Sequence, residues 1–108
     1  PDSHVNGIIR TKLALTEESP RITGYDEHTW AQLADTQLAV DVSLRLITAL
    51  HERWVAMFRS MTPEQFARAY VHPEKGRPVT LDEQLHNYAW HSRHHVAHIT
   101  GLRQRKGW

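Results

Sequence analysis

The spacing of apolar residues along positions 38–61 constrains the fold of this 108-residue chain more than any other feature. Apolar side chains recur there every three or four residues, at Val40, Leu44, Ile47, Leu50, Trp54 and Phe58. These intervals place side chains on one face of an α-helix, so the stretch predicts a long amphipathic helix from about Leu38 to Met61. We expect this stripe of Trp and Leu side chains to lie in the core.

Two further long helices are predicted, one near each end of the chain. The first runs from about Asp2 to Glu17, with apolar positions at Val5, Ile8, Ile9, Leu13 and Leu15. The last runs from Leu81 to about Lys106, and Thr80 precedes it as an N-cap. Two short helices are expected between the long ones. One is near Glu27–Leu33 and is anchored by Trp30, and the other begins at the capping-box sequence 62–65.

The intervening residues 70–80 predict an extended excursion, because Pro73, Gly76 and Pro78 favour turns. We find no other strand-like alternation of any length. The pattern therefore predicts an all-α, up-and-down helical bundle with one decorated loop, forming a single domain over residues 1–108. A four-helix bundle needs one more long helix, and we expect that helix to precede Pro1 in a longer protein.

The composition excludes several kinds of binding partner and several kinds of chemistry. The formal net charge is +1 and no dense basic stripe with aromatic residues is present, so nucleic acid is not an expected partner. No apolar run approaches the roughly 20 residues that a membrane span needs. Cysteine is absent, which excludes disulfides, thiolate ligands and a cysteine nucleophile from this chain. We therefore expect a cytoplasmic protein without membrane or nucleic-acid partners.

Four histidines within residues 91–98 predict a metal site. They form two HxxxH pairs, His91/His95 and His94/His98, and residues four apart on a helix lie roughly 5–6 Å apart on one face. Two imidazoles at that spacing can bind one divalent ion. At 100° per residue, His91 and His95 flank the expected buried stripe, whereas His94 faces solvent. His91/His95 is the preferred pair, and His94/His98 is second.

Two imidazoles do not complete a site, because a catalytic zinc typically has three protein ligands and an open position. The third ligand must come from another helix, with His4 as the first candidate and His51 as the second. Surface positions are expected for His28, His72 and His86. In the competing interpretation, the histidine-rich segment is a polar flank, or its imidazoles are buried and bonded to carbonyl groups.

Several segments together resemble YfiT-like proteins of the DinB superfamily, over essentially the whole chain. The histidine segment is the most specific of them. The segments are Asp2-Ser3-His4, Lys12-Leu13-Ala14-Leu15-Thr16-Glu17-Glu18, Tyr25-Asp26-Glu27, Leu50-His51-Glu52-Arg53-Trp54, His72-Pro73, residues 90–100 and Gly107-Trp108.

The resemblance implies a four-helix bundle that is often dimeric, so a homodimer is expected here. It also implies a zinc or nickel ion held by three histidines. Two of these correspond to His91 and His95, in agreement with the preferred pair. The third precedes the family's Asp-Ser-His and would lie just upstream of Pro1, which makes His4 the weaker of the three metal candidates in this chain.

The activity that the resemblance implies is a metal-dependent hydrolase or thiol S-transferase. The ion would activate a water molecule, or a low-molecular-weight thiol such as bacillithiol, toward a hydrolysable substrate or a small-molecule electrophile. The lack of cysteine fits an external thiol. Glu27 or His98 is a candidate for orienting a ligand or acting as a general base. The alternatives are a non-catalytic, stress-related metal-binding bundle and a helical interaction module.

Overall fold

The computed structural model of the protein describes residues 1–89, and most of them are helical. The helices are α1 (Asp2–Thr16), α2 (Glu27–Trp30), a 3-10 helix (Ala34–Gln37), α3 (Val40–Ser60) and α4 (Pro63–Phe66). Two strands follow, β1 (Ala69–Val71) and β2 (Pro78–Thr80), and then the helical segment 81–89. Both long helices within the described range begin and end within two residues of the predicted positions. The predicted continuation of the last helix to Lys106 lies outside the described residues.

Two predicted N-caps are confirmed. Thr62 Oγ1 accepts a hydrogen bond from the Gln65 backbone N–H, and the Gln65 side chain accepts one from the Thr62 backbone N–H, which completes a capping box with Pro63 at the first helical turn. Thr80 Oγ1 accepts a hydrogen bond from the Glu83 N–H at 3.1 Å. Each cap satisfies a backbone donor that the first turn of a helix leaves unpaired.

The 70–80 excursion forms a short antiparallel hairpin. Tyr70 pairs with Val79 at its centre, and Gly76 adopts a positive φ of 63° in the connecting turn. Residues 20–22 pair with the other edge of β1, through hydrogen bonds between Val71 and the backbones of Pro20 and Ile22. The described chain is thus mostly helical, and the predicted extended excursion is confirmed; the pairing of its two strands into a small sheet goes beyond the all-α class that was predicted.

A compact apolar cluster joins α1 to the hairpin. Its buried members are Ala14, Ile22, Tyr70, Val79 and Leu81. Arg68 stabilises the same junction, because its Nε donates to the Ala14 carbonyl at 2.6 Å and its Nη2 donates to the Glu17 carbonyl at 2.9 Å. These carbonyls lie at the end of α1, where a helix leaves acceptors without intrahelical partners.

Only part of the apolar stripe on α3 is buried. Within α3, all of which the structure describes, Trp54 is the one buried residue, whereas Val40 is 72% exposed and Leu44 is 58% exposed. The prediction that the whole stripe lies in the core was therefore wrong for the N-terminal half of α3. The physical reason is that α1 and the segment 81–89 pack against the Trp54 end of the helix, and burial needs a packing partner as well as an apolar face.

The short helix α2 lies outside the core of the described residues. Trp30 is partly exposed and packs against the Tyr25 ring, with 4.6 Å between the ring centroids, so it anchors a local pair instead of entering the core. None of the helices within residues 1–89 is long and apolar enough to cross a membrane.

Candidate functional site

His4, the predicted ligand nearest the start of the chain, lies in a cluster of rings where α1, α3 and the segment 81–89 meet. Its ring centroid is 4.9 Å from that of His51, 5.8 Å from Tyr88 and 6.4 Å from Trp54. The structure thus brings together His4 and His51, which the sequence ranked first and second as the ligand from a separate helix.

The separation of the two imidazoles is compatible with a shared ion. With metal–nitrogen bonds of about 2.0–2.1 Å and tetrahedral angles, two imidazole centroids around one ion lie roughly 5 Å apart. Within residues 1–89, however, no three His, Asp or Glu side chains are grouped closely enough to hold a metal ion. The described residues therefore supply a pair of donors. His91 and His95, the preferred pair from the sequence, lie outside the described residues, as do His94 and His98.

Tyr88 ties the segment 81–89 to the start of α1. Its hydroxyl donates a hydrogen bond to the Ser3 carbonyl at 3.0 Å and lies 3.2 Å from Ser3 Oγ. The Tyr88 ring also meets the Trp54 ring edge-on, with 4.6 Å between centroids. These contacts fix the residue just before His4 against the helical segment that precedes the histidine-rich sequence.

A buried polar network holds Trp54 in place. The indole Nε1–H donates to Thr11 Oγ1 at 2.9 Å, Thr11 Oγ1 donates to Gln84 Oε1 at 2.6 Å, and Gln84 Nε2 donates to the Gly7 carbonyl at 3.1 Å. Thr11 and Gln84 are both essentially inaccessible to solvent. Every buried side-chain nitrogen and oxygen in the described part of the chain has a partner. A fully satisfied network of this kind favours a single arrangement of the packed helices.

Thr11 and Gln84 were not predicted from the sequence as members of the site. The available signal was the position of Gln84, three residues after Leu81 and four before Tyr88, on the face that the last helix buries. A long polar side chain on a buried face needs an internal partner. The partner itself was not predictable, because Thr11 lies 73 residues away along the chain.

Gly7 permits the close approach of α1 to this cluster. A Cβ at this position would lie 2.5 Å from Trp54 Cη2 and 2.8 Å from the Tyr88 hydroxyl. Both distances are far inside van der Waals contact. Glycine normally weakens a helix by about 1 kcal/mol relative to alanine. At position 7 the absence of a side chain lets the Trp54 and Tyr88 rings pack directly against the backbone of α1.

A cleft opens beside the two histidines, between α3 and the segment 81–89. It has a volume of about 150 Å³. Its walls are formed by His51, Trp54, Val55, Phe58, Leu85, Tyr88 and Ala89. Phe58 stacks on Trp54 with 5.9 Å between centroids and an angle of 24°. The candidate site thus combines a pair of imidazoles with an apolar, largely aromatic cavity.

The other predicted residues lie away from this cluster or at its margin. His28 and His86 are exposed as expected, and His72 is partly buried, where its Nδ1 accepts a hydrogen bond from the Glu74 N–H. Glu27, a candidate for orienting a ligand, is exposed at the start of α2. Burial, followed by the negative charge of Glu27, raises the pKa of Tyr25 above its ordinary value.

The family of the chain follows from its sequence as a whole. The profile of the DinB superfamily matches residues 3–99, which include His4, His51, His91 and His95. This chain belongs to the DinB superfamily. The resemblance noted from the sequence segments is confirmed.

Several relatives align with almost the full chain. YfiT of Bacillus subtilis is 49% identical over 108 residues, which cover 99% of this chain and 61% of that protein. A relative from Oceanobacillus iheyensis is 49% identical over 107 residues, covering 99% of this chain and 62% of that protein. Both carry the provisional name metal-dependent hydrolase. The chain therefore spans about three-fifths of the length of these relatives.

The solved structure of B. subtilis YfiT superimposes closely on this DinB-superfamily chain. The TM-score is 0.88 at 49% identity, and the match covers 99% of this chain and 62% of YfiT. YfiT is described as a probable metal-dependent hydrolase with an unusual four-helix bundle topology.

Proposed function

We propose that this chain carries the catalytic metal site of a metal-dependent enzyme. A divalent ion, zinc or nickel, would be held by His91 and His95 together with His4. The observation that carries the proposal is the cluster of His4, His51 and Tyr88 beside an apolar cleft. The provisional names of the relatives support the same class of activity.

Helical spacing supports the choice of ligands. His91 follows Tyr88 by three residues, and residues three apart on a helix share a face. The sequence predicts that the last helix continues through this region, and Tyr88 already lies next to His4. Under that prediction His91 would lie on the face of the helix that is directed toward His4, and His95 would lie one turn further along. His51 is the alternative third donor.

The residues of the chain would bind the substrate and exclude water from it, and the ion would supply the reactive group. When bound, the ion would lower the pKa of a coordinated water or thiol and so supply a nucleophile near neutral pH. Hydrolysis is the first candidate reaction. Transfer of an external low-molecular-weight thiol, such as bacillithiol, to a small electrophile is the second, and it fits the lack of cysteine among these 108 residues, which supply no thiol of their own.

We further propose that the helices described here form part of a four-helix bundle like that of YfiT, and that the protein is a cytoplasmic homodimer. The exposed apolar half of α3 supports the bundle, since such a face requires a packing partner. Analytical ultracentrifugation tests the dimer: a single species at twice the monomer mass is expected, and a monomer at micromolar concentration would exclude it.

Metal content tests the proposed site directly. The 108-residue chain, purified without a nickel column, is expected to contain close to one zinc or nickel per chain by elemental analysis, and the double variant His91→Ala/His95→Ala is expected to lose it. His28→Ala/His86→Ala is the matched control, because it removes the same number of histidines from exposed positions. Equal metal content in the two double variants would exclude His91 and His95 as ligands.

Turnover separates the enzyme from a non-catalytic metal-binding bundle. The metal-loaded chain is incubated with ester substrates, and separately with a thiol and an electrophile such as monochlorobimane. Metal-dependent turnover in either assay, abolished by His91→Ala/His95→Ala, is the expected result. Stoichiometric metal with no turnover in either assay would favour the non-catalytic bundle.

A further inference from the structure

We propose that the cleft between α3 and the segment 81–89 binds a single aromatic ring that carries a small polar group. The identification of that ring as part of a substrate rests on the proposed metal-dependent function, whereas binding of the ring itself does not. Volume, wall chemistry and the position of the two histidines each support the assignment.

The volume of the cleft matches one ring. At about 150 Å³ it is the size of the engineered apolar cavity that accommodates benzene in another protein. A two-ring group would require one wall to move. Among the described residues the cleft is partly open, so a ligand can enter it without separating α3 from the segment 81–89.

The walls favour an uncharged aromatic body. None of the described lining residues carries a carboxylate, an ammonium or a guanidinium group, so a charged body would be desolvated without compensation. Trp54 and Phe58 present stacked rings, and Tyr88 meets Trp54 at an angle of 66°. The accessible parts of this wall are therefore apolar and aromatic, and an uncharged ring packs favourably against aromatic edges and faces.

The polar atoms of two wall residues are already engaged elsewhere. Trp54 Nε1–H is bonded to Thr11, and the Tyr88 hydroxyl is bonded to Ser3. The His51 imidazole is the remaining polar side chain among the described lining residues, and it faces His4. A polar or reactive group on the ring would therefore be directed to the histidine end of the cleft, where the proposed ion would be bound.

Binding of a fluorinated probe, followed by ¹⁹F NMR on the chain treated with EDTA, tests the inference without metal. Saturable binding of 4-fluorobenzyl alcohol is expected in the wild type. Ala89→Leu adds bulk to the cleft wall and is expected to weaken binding at least about tenfold, as steric changes of this size do in apolar pockets. Ala49→Leu makes the same change at an exposed position of α3 that does not line the cleft, and is expected to leave the dissociation constant within about twofold.

A second variant changes selectivity instead of affinity. Phe58→Ala enlarges the cleft, and is expected to raise binding of (6-fluoronaphthalen-2-yl)methanol relative to 4-fluorobenzyl alcohol by about tenfold. This ratio remains informative if Ala89→Leu fails to fold. Binding that is unaffected by Ala89→Leu, a ratio unchanged by Phe58→Ala, or no saturable binding at millimolar probe would each overturn the inference.

The outcomes for the cleft and for the metal site are separable. Ring binding by the EDTA-treated chain supports the cleft even if elemental analysis detects no metal in the purified protein, in which case only the proposed function fails. Bound metal in a chain that does not bind the ring would overturn the cleft assignment and leave the metal site intact.

Discussion

The two halves of α3 have the same apolar periodicity and different environments. In the C-terminal half, Trp54 is 4% exposed and its indole N–H is bonded to a buried threonine of α1. In the N-terminal half, Leu44 occupies the same face and remains more than half exposed. Amphipathic spacing thus identifies the face of a helix that is available for packing, and the position of neighbouring elements decides which part of that face is buried.

The largest expected difference between the halves comes from truncating the apolar side chains. Trp54→Ala is expected to lower the free energy of unfolding by about 3–5 kcal/mol, because it leaves a large cavity between three helices. In the 108-residue chain, where Leu44 is 58% exposed, Leu44→Ala is expected to change it by less than about 0.5 kcal/mol. Urea unfolding followed by circular dichroism measures both. Similar losses in the two variants would mean that the N-terminal half of α3 is buried in solution.

Removal of a hydroxyl group gives the next largest contrast. Thr11→Val leaves the Trp54 indole N–H and Gln84 Oε1 without their shared partner, at an expected cost of about 1–3 kcal/mol. Thr48→Val is the matched control, since Thr48 is exposed and, within the described part of the chain, its hydroxyl donates to the Leu44 carbonyl of its own helix at 2.8 Å. We expect that variant to unfold within about 0.5 kcal/mol of the wild type, measured by urea titration. Equal costs would show that the buried network does not contribute to stability.

A third contrast compares a crowded glycine with an open one. Gly7→Ala gains helix propensity but forces a methyl group against Trp54 and Tyr88, so we expect a net loss of about 1–2 kcal/mol. At Gly24 the added methyl would meet Pro73 at an ordinary 3.8 Å, and Gly24→Ala is expected to be neutral or to stabilise by up to about 1 kcal/mol. Thermal unfolding ranks the two variants. A stabilising Gly7→Ala would mean that α1 packs further from Trp54 than described.

The smallest contrast is electrostatic. Hydrogen bonds from Arg77 hold the pKa of Glu83 below its ordinary value, whereas Asp41 forms a more exposed pair with Arg45 at 3.6 Å. Glu83→Gln is expected to cost about 0.5–1 kcal/mol at pH 7, and Asp41→Asn about 0.3 kcal/mol, because both pairs are screened by solvent.

The pH dependence of the Glu83 contribution has a definite sign. A carboxyl group whose pKa is lowered in the folded state stabilises the protein above its unfolded pKa, here near 4.5, and loses that contribution as the pH falls through the lowered native pKa. Urea midpoints of wild type and Glu83→Gln should therefore converge as the pH is lowered below 4.5. A difference that persists or grows in acid would contradict the assignment.

Local features of the fold were predictable from the sequence, and long-range ones were not. The bounds of α1 and α3, the caps at Thr62 and Thr80 and the extended 70–80 excursion all depend on residues within a few positions of one another. The pairing of Thr11 with Gln84, and the exposure of Leu44, depend on how distant elements pack. The spacing of residue types along the chain does not indicate which distant elements pack together.

The candidate site likewise has features that the sequence predicted and features that it did not. His4 and His51 were ranked by their positions on separate helices, and the structure places their rings 4.9 Å apart. The assignment of His91 and His95 rests on HxxxH spacing and stays a prediction. The cleft was not predicted, because its walls combine Phe58, which was predicted to be a core residue, with Ala89, whose methyl side chain gives no indication of a site.

The network around Trp54 also determines when this part of the protein forms during synthesis. The hydrogen bond from Gln84 to the Gly7 carbonyl spans 77 residues. At typical ribosomal rates of about 5–20 residues per second, roughly 4–15 s separate the synthesis of its two partners. In the last part of that interval, the roughly 1.5–6 s between the synthesis of Trp54 and that of Gln84, the aromatic face of α3 lacks one of its packing partners. The nascent chain therefore exposes the same apolar rings that later line the cleft, and this is the period in which it is most exposed to chaperones and to aggregation.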